Sequence, residues 1–159
     1  MSAHRNLSRI TMVALTSFTI SAISAAALAC KCDTSRTFLS VARYGELVIV
    51  GRVERYQQNK AQRIPLYMDV RVERVLKGAH SGRQIRIFGD NGMLCRPYVR
   101  RFGIGTRWVF VLRKGHREAG YMISICGEHW LAVKGRWATS TRSKARFEIA
   151  KLPALLTKP

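Results

Sequence analysis

The feature that most constrains this chain is a pair of cysteines one residue apart, Cys30 and Cys32, set directly after Ala27-Leu28-Ala29. Upstream, Arg5 and Arg9 are followed by an uncharged run from Ile10 to Ala29 rich in Ile, Val, Leu, Ala, Ser and Thr. Basic start, apolar middle and small-x-small end are the order of a signal peptide, here residues 1–29. Cleavage after Ala29 gives an exported chain of 130 residues that begins at Cys30, long enough for one small domain with a modest core. Two other readings of the leader compete. A run of about 20 uncharged residues reaches across a bilayer, but its many Ser and Thr weaken it as an anchor. Ala27-Leu28-Ala29-Cys30 also approaches a lipobox, although Ala27 stands where that box prefers Leu; such processing would acylate the Cys30 amine and occupy its sulfur.

All four cysteines, Cys30, Cys32, Cys95 and Cys126, follow the leader. Export to an oxidising compartment, extracellular or periplasmic, makes disulfides their default state. A Cys30–Cys32 bridge across a single residue is badly strained, so both are expected to reach out to Cys95 and Cys126. Such bridges close loops of roughly 65 and 95 residues, each worth about 4 to 5 kcal/mol in the chain-entropy model. The rival, a four-thiolate zinc site, normally shows two close C-x2-C knuckles, and this chain has one close pair.

Downstream, Asp33 or Thr34 is placed to cap a short helical turn over Ser35 to Tyr44. Glu46 to Tyr56 holds Leu47-Val48-Ile49-Val50-Gly51-Arg52-Val53, a β-branched run that suits a largely buried strand with a bulge at Gly51. From Leu66 the chain alternates, with Leu66, Met68, Val70 and Val72 on one face and Tyr67, Asp69, Arg71 and Glu73 on the other. Gln84 to Phe88, Arg107 to Arg113 and Tyr121 to Cys126 supply three more strands. Five strands at short spacing with one long crossing predict an all-β fold with minor helices, a small Greek-key barrel. The domain is expected over 30–133, and 134–159 reads as a basic tail, partly helical from Thr141 to Leu152 with Thr139 or Ser140 as cap.

The leader carries two of the 28 lysines and arginines and none of the nine acids, so the exported part has a formal charge of +17. That points to anionic partners and says nothing about fold. Two acid-poor stretches, Arg96 to Arg117 and Lys134 to Pro159, concentrate it. Basic residues interleaved with Tyr98, Phe102, Trp108 and Phe110 resemble a single-stranded nucleic-acid surface, but these aromatics alternate as core residues do and export removes the chain from most nucleic acid. Loose binding to anionic polymers or surfaces is the plainer expectation. Nothing suggests an enzyme or a cofactor: no HExxH, nucleophile elbow or phosphate loop occurs. His80, His116 and His129 read as surface residues, and Glu54, Asp69 and Glu73 as exposed strand residues beside arginines.

In sum the pattern resembles the netrin-like N-terminal domain of the tissue inhibitors of metalloproteinases, in single-domain form. The likeness rests on Cys30-x-Cys32 after the leader, Phe38, the Leu47 to Val53 run, the Tyr67 to Val75 strand ending in Leu76-Lys77-Gly78, the turn into Cys95, the Trp108 to Leu112 strand, and Tyr121-x-Ile123-Ser124-x-Cys126. The resemblance implies an OB-like barrel with Cys30 bridged to Cys95 and Cys32 to Cys126. It further implies that the α-amine and carbonyl oxygen of Cys30 chelate the catalytic zinc of a metalloendopeptidase. A zinc hydrolase keeps an open position for water, and an α-amine with a pKa near 8 yields its proton readily to a metal. Lys31, Cys32 and Asp33 would contact the target, with Gly92, Met93 and Leu94 as a second ridge. The family usually has a small Ser or Thr where Lys31 stands, so a long cation points to an acid-lined or open pocket. A non-inhibitory module that binds anionic polymers or an acidic protein through its basic face is the alternative.

Overall fold

The computed structural model describes residues 31–58, 64–115 and 120–157; the expected leader, Cys30 and His116 lie outside them. Among the described residues eight strands form one sheet: β1 (Leu47–Gln58), β2 (Pro65–Lys77), β3 (Gln84–Phe88), β4 (Arg107–Lys114), β5 (Tyr121–Met122), β6 (Trp130–Lys134), β7 (Trp137–Ser140) and β8 (Arg146–Glu148). Two five-residue helices, α1 (Phe38–Ala42) and α2 (Leu152–Leu156), complete the framework. The first five strands run in the order β1-β2-β3-β5-β4, and β4 returns to pair with β1. That closes a five-stranded Greek-key barrel of OB type, in which β3 and β5 are the parallel neighbours.

Strand β1 makes closure possible because it is long enough to serve two partners. Leu47 to Arg52 pair antiparallel with Arg107 to Leu112, while Val48 to Gln58 pair with β2. The register with β2 slips between Val50 and Gly51, and such an irregularity bends a strand as a small barrel needs. A Cβ at position 51 would sit 2.4 Å from Val70 Cγ1 and 3.2 Å from Arg71 O, so only glycine fits this approach.

Both faces of β1 from Leu47 to Gly51 and of β4 from Val109 to Leu112 are buried, which explains their nearly continuous apolar runs. Leu47, Ile49, Val53, Met68, Val70, Ile85, Ile87, Phe110 and Leu112 fill the barrel. The 3₁₀ turn Val99–Arg101 and Phe102 plug one end. Phe102 meets Trp108, Phe110 and Trp130 edge-on at centroid distances of 5.2, 5.2 and 5.4 Å, contacts worth about 0.5–1.5 kcal/mol each beyond area burial. Outside the barrel wall, Val48, Val50, Val109 and Val111 pack against Phe38, Val41, Leu131, Ala138, Leu152 and Leu156.

Several sequence expectations change. The cap of α1 is Thr37, whose side chain accepts from the Ser40 amide, rather than Asp33 or Thr34. The last barrel strand pairs only over Tyr121–Met122, short of the expected Cys126. The expected helix from Thr141 to Leu152 is instead a turn, the strand β8 and a 3₁₀ turn, with the C-terminal helix confined to Leu152–Leu156. Ser140 ends β7, and its Oγ is held by Glu128 while accepting the Arg142 and Ser143 amides. The stretch 134–159 thus begins inside β6 and continues the sheet through two further strands. Asp69 is 2 % exposed rather than open to solvent. Cross-strand neighbours Arg55 and Arg86 flank it at 2.8 and 3.4 Å, and Arg86 lies 4.2 Å from the Tyr67 ring centroid. Burial works to raise the Asp69 pKa, but the two guanidinium hydrogen bonds and charges outweigh it and hold the group ionised.

Gly51→Ala is expected to lower stability by about 1–3 kcal/mol through overpacking against Val70. The measurement is urea unfolding, where the midpoint should fall with little change in slope; an unchanged midpoint would contradict the close approach.

Candidate functional site

Three stretches meet at one edge of the barrel: the extended segment 31–37, the loop 89–98 and the stretch 123–129. Cys32 is disulfide-bonded to Cys126 with Cα atoms 5.3 Å apart. Beyond it, the Glu128 amide donates to Arg36 O at 2.9 Å. On the other side, the Ile125 amide donates to Cys95 O at 3.4 Å, and Cys95 is itself disulfide-bonded. Its expected partner Cys30 lies outside the described residues. With Cys32 and Cys126 bonded to each other, a four-thiolate zinc site is ruled out.

These links bring the two expected contact ridges together. Lys31 and Asp33 are exposed and Cys32 is half-buried. Across the edge Gly92 and Leu94 are exposed, and Met93 is 85 % exposed, the most open large apolar side chain among the described residues. Neither ridge is slack. Asp33 Oδ1 accepts the Ser35 amide at 2.8 Å and the Ser35 hydroxyl at 2.5 Å, and these bonds lower the Asp33 pKa. Asp90 Oδ1 accepts the amides of Gly92 and Leu94 at 2.9 and 2.8 Å, while Asn91 Oδ1 accepts that of Met93 at 3.1 Å. Gly92 adopts φ +101°, where a side chain would be strained. The loop therefore presents Met93 outward on a backbone fixed by its own Asx turns.

Behind the edge lies a buried pair that the sequence reading did not foresee. Glu128 is 3 % exposed; its carboxylate accepts the Ser140 hydroxyl at 2.8 and 2.9 Å and the Thr141 amide at 2.9 Å. Arg142, in the same turn, donates to Thr34 O. The strand β7 and its turn thus buttress the N-terminal segment. His129, expected at the surface, is 7 % exposed, with Nδ1 3.4 Å from Gly127 O. Burial pushes its pKa down to about 4; the Gly127 carbonyl works against this, and the positive field of Arg113, Arg36 and Arg142 adds to it. The only sequence signal was position, in the run Cys126-Gly127-Glu128-His129 next to a cysteine.

Among the described residues no group of three or more His, Cys, Asp or Glu is arranged to hold a metal, and no helix is long and apolar enough to cross a membrane. The other acids serve local pairs: Glu73 accepts from Arg52 and Arg107 at 3.2 and 2.7 Å, and Glu54 lies 3.5 Å from Arg71. No protein-family model matches this chain, and no curated protein matches it. The site consequently rests on its geometry: two ordered, exposed ridges beside a disulfide.

A depressed histidine pKa makes stability depend on pH in a defined window. The unfolded chain takes up a proton near pH 6.5 that the folded protein refuses until about pH 4. This contribution is complete above pH 6.5 and is lost as pH falls toward 4, on the order of 3 kcal/mol. Urea unfolding across that window should show a falling midpoint in the wild type and a flatter profile in His129→Gln; equal slopes would contradict the burial of a neutral imidazole.

Proposed function

We propose that this protein acts after export as an inhibitor of a zinc metalloendopeptidase, using the α-amine and carbonyl oxygen of Cys30 as a chain end that caps the target's zinc. The observation that carries this reading is the Cys32–Cys126 disulfide, which seats the residues next to Cys30 on the same edge as the projecting Met93 loop. An inhibitor that inserts its chain end must order that end before binding. A sulfur clamp two residues away removes much of that entropy cost, which is how preorganised inhibitors become tight.

The chemistry required of Cys30 is modest. A neutral amine and the carbonyl of the same residue form a five-membered chelate, and the open coordination position of a hydrolytic zinc accepts it in place of water. Lys31, exposed beside the clamp, would enter the pocket next to the metal and favours an acid-lined or open one. Gly92, Met93 and Leu94 supply a second contact ridge, whose apolar tip has no packing role in the free protein.

A second reading follows from the charge of the exported part: the basic face holds anionic polymers or an acidic protein without inhibiting anything. One variant separates the two. Adding a single alanine before Cys30 displaces the amine from the chelate and is expected to weaken inhibition of a zinc endopeptidase by at least about 100-fold, or 2.7 kcal/mol. Salt-sensitive polyanion binding should be untouched by the same extension. Inhibition that survives the extension would overturn the zinc-capping reading.

A further inference from the structure

Beside the two ridges lies a cleft of about 690 Å³, bordered by Thr34 of the N-terminal segment and lined by Arg96, Tyr98, Arg101, Trp130 and Arg142. Its lining is net positive, with Arg96, Arg101 and Arg142 against Asp90. The carboxylate on its rim, Asp90, is engaged by the amides of Gly92 and Leu94, whereas Arg101 and Arg142 are exposed. Arg101 is held with its guanidinium carbon 5.5 Å from the Trp130 ring centroid, and Arg142 by its bond to Thr34 O. Both heads are thus positioned by stacking or a backbone bond, leaving further N–H donors of each planar fork for an anion. Trp130, 4 % exposed, supplies the aromatic face beside which Arg101 is held.

We propose that this cleft receives a carboxylate-bearing segment of the partner protein, clamped by Arg101 and Arg142. That the segment belongs to the inhibited enzyme, as acidic residues flanking its active site, rests on the inhibitor reading. Continuity with the edge favours a protein segment over a polymer: Thr34 borders the cleft and the Asp90–Leu94 loop begins at its rim. Long-range steering by such a patch speeds encounter with an acid-rimmed enzyme, and like-charged enzymes are rejected.

The test uses the exported, disulfide-bonded protein and an end-blocked hexa-aspartate peptide, followed by tryptophan fluorescence. Saturable binding that weakens as salt rises is expected, with a loss of at least about tenfold in Arg101→Gln and in the Arg101→Gln/Arg142→Gln double variant. An equal loss of charge elsewhere, in Arg74→Gln/Lys134→Gln, should change binding less than threefold. Absence of saturable binding, equal weakening in both pairs, or an occupant confined to a sulfated hexasaccharide that the peptide fails to displace would each overturn the proposal. The one-residue extension before Cys30 must leave peptide binding intact. If no zinc endopeptidase is inhibited while the peptide still binds through Arg101, the inhibitor reading fails and the cleft assignment stands.

Discussion

Closure of the barrel depends on one strand serving two neighbours. β1 pairs along its first half with β4 and along its length with β2, so the sheet has no free edge at this seam. Bending a strand that far requires a place where the partner chain can come unusually close, and Gly51 against Val70 is that place. The same double pairing buries both faces of β1 from Leu47 to Gly51. One face fills the barrel, and the other becomes the floor on which α1, α2 and the β6–β7 hairpin rest. The positions of the N-terminal segment and the loop before Cys95 follow from it, since both are tied to the stretch that leaves β5.

The clamp at that edge is layered. The disulfide fixes Cys32 covalently, the Glu128 amide fixes Arg36, and Arg142 holds Thr34 from the opposite side. Glu128 is central because its carboxylate binds Ser140 and Thr141, so that the C-terminal strands hold the segment that precedes the barrel. Lys77 performs a similar service for α1, donating to the carbonyls of Ala42 and Arg43 at the helix end. In the proposed function, where the chain end presents one nitrogen and one oxygen to a metal, such restraint helps, because freedom lost before binding is not lost during it.

The barrel was legible because its strands carry strong local signals. Alternation from Leu66 to Val72, β-branched density from Leu47 to Val53 and glycine-rich turns at Gly78 and Gly89–Gly92 each act over a few residues. What stayed hidden depends on register. Asp69 looks like a solvent residue until the pairing places Arg55 and Arg86 directly across from it on both sides. The β7–β8 region misled for a related reason: Thr139 and Ser140 resemble a helix cap, and Ala145, Ile149 and Leu152 repeat at near-helical spacing. The hydroxyl of Ser140 is instead engaged by a carboxylate twelve residues earlier, and Phe147 packs at 6.2 Å from Phe38 across the outer core. The buried state of His129 likewise comes from the edge assembled around it, a contact between distant segments with no local signature. The stretches around Lys31 and Met93 were singled out as contact ridges through a family resemblance alone, and the cleft beside them emerges only in three dimensions.

The central claim is that the exported protein begins at Cys30 with an unblocked amine and with its sulfur bonded to Cys95. Intact mass, N-terminal sequencing and disulfide mapping of the exported product test it in one preparation. The expected result is an unmodified 130-residue chain starting at Cys30, with Cys30 paired to Cys95 and Cys32 to Cys126. A different first residue, a lipid adduct on Cys30 or an unpaired Cys30 thiol would contradict it.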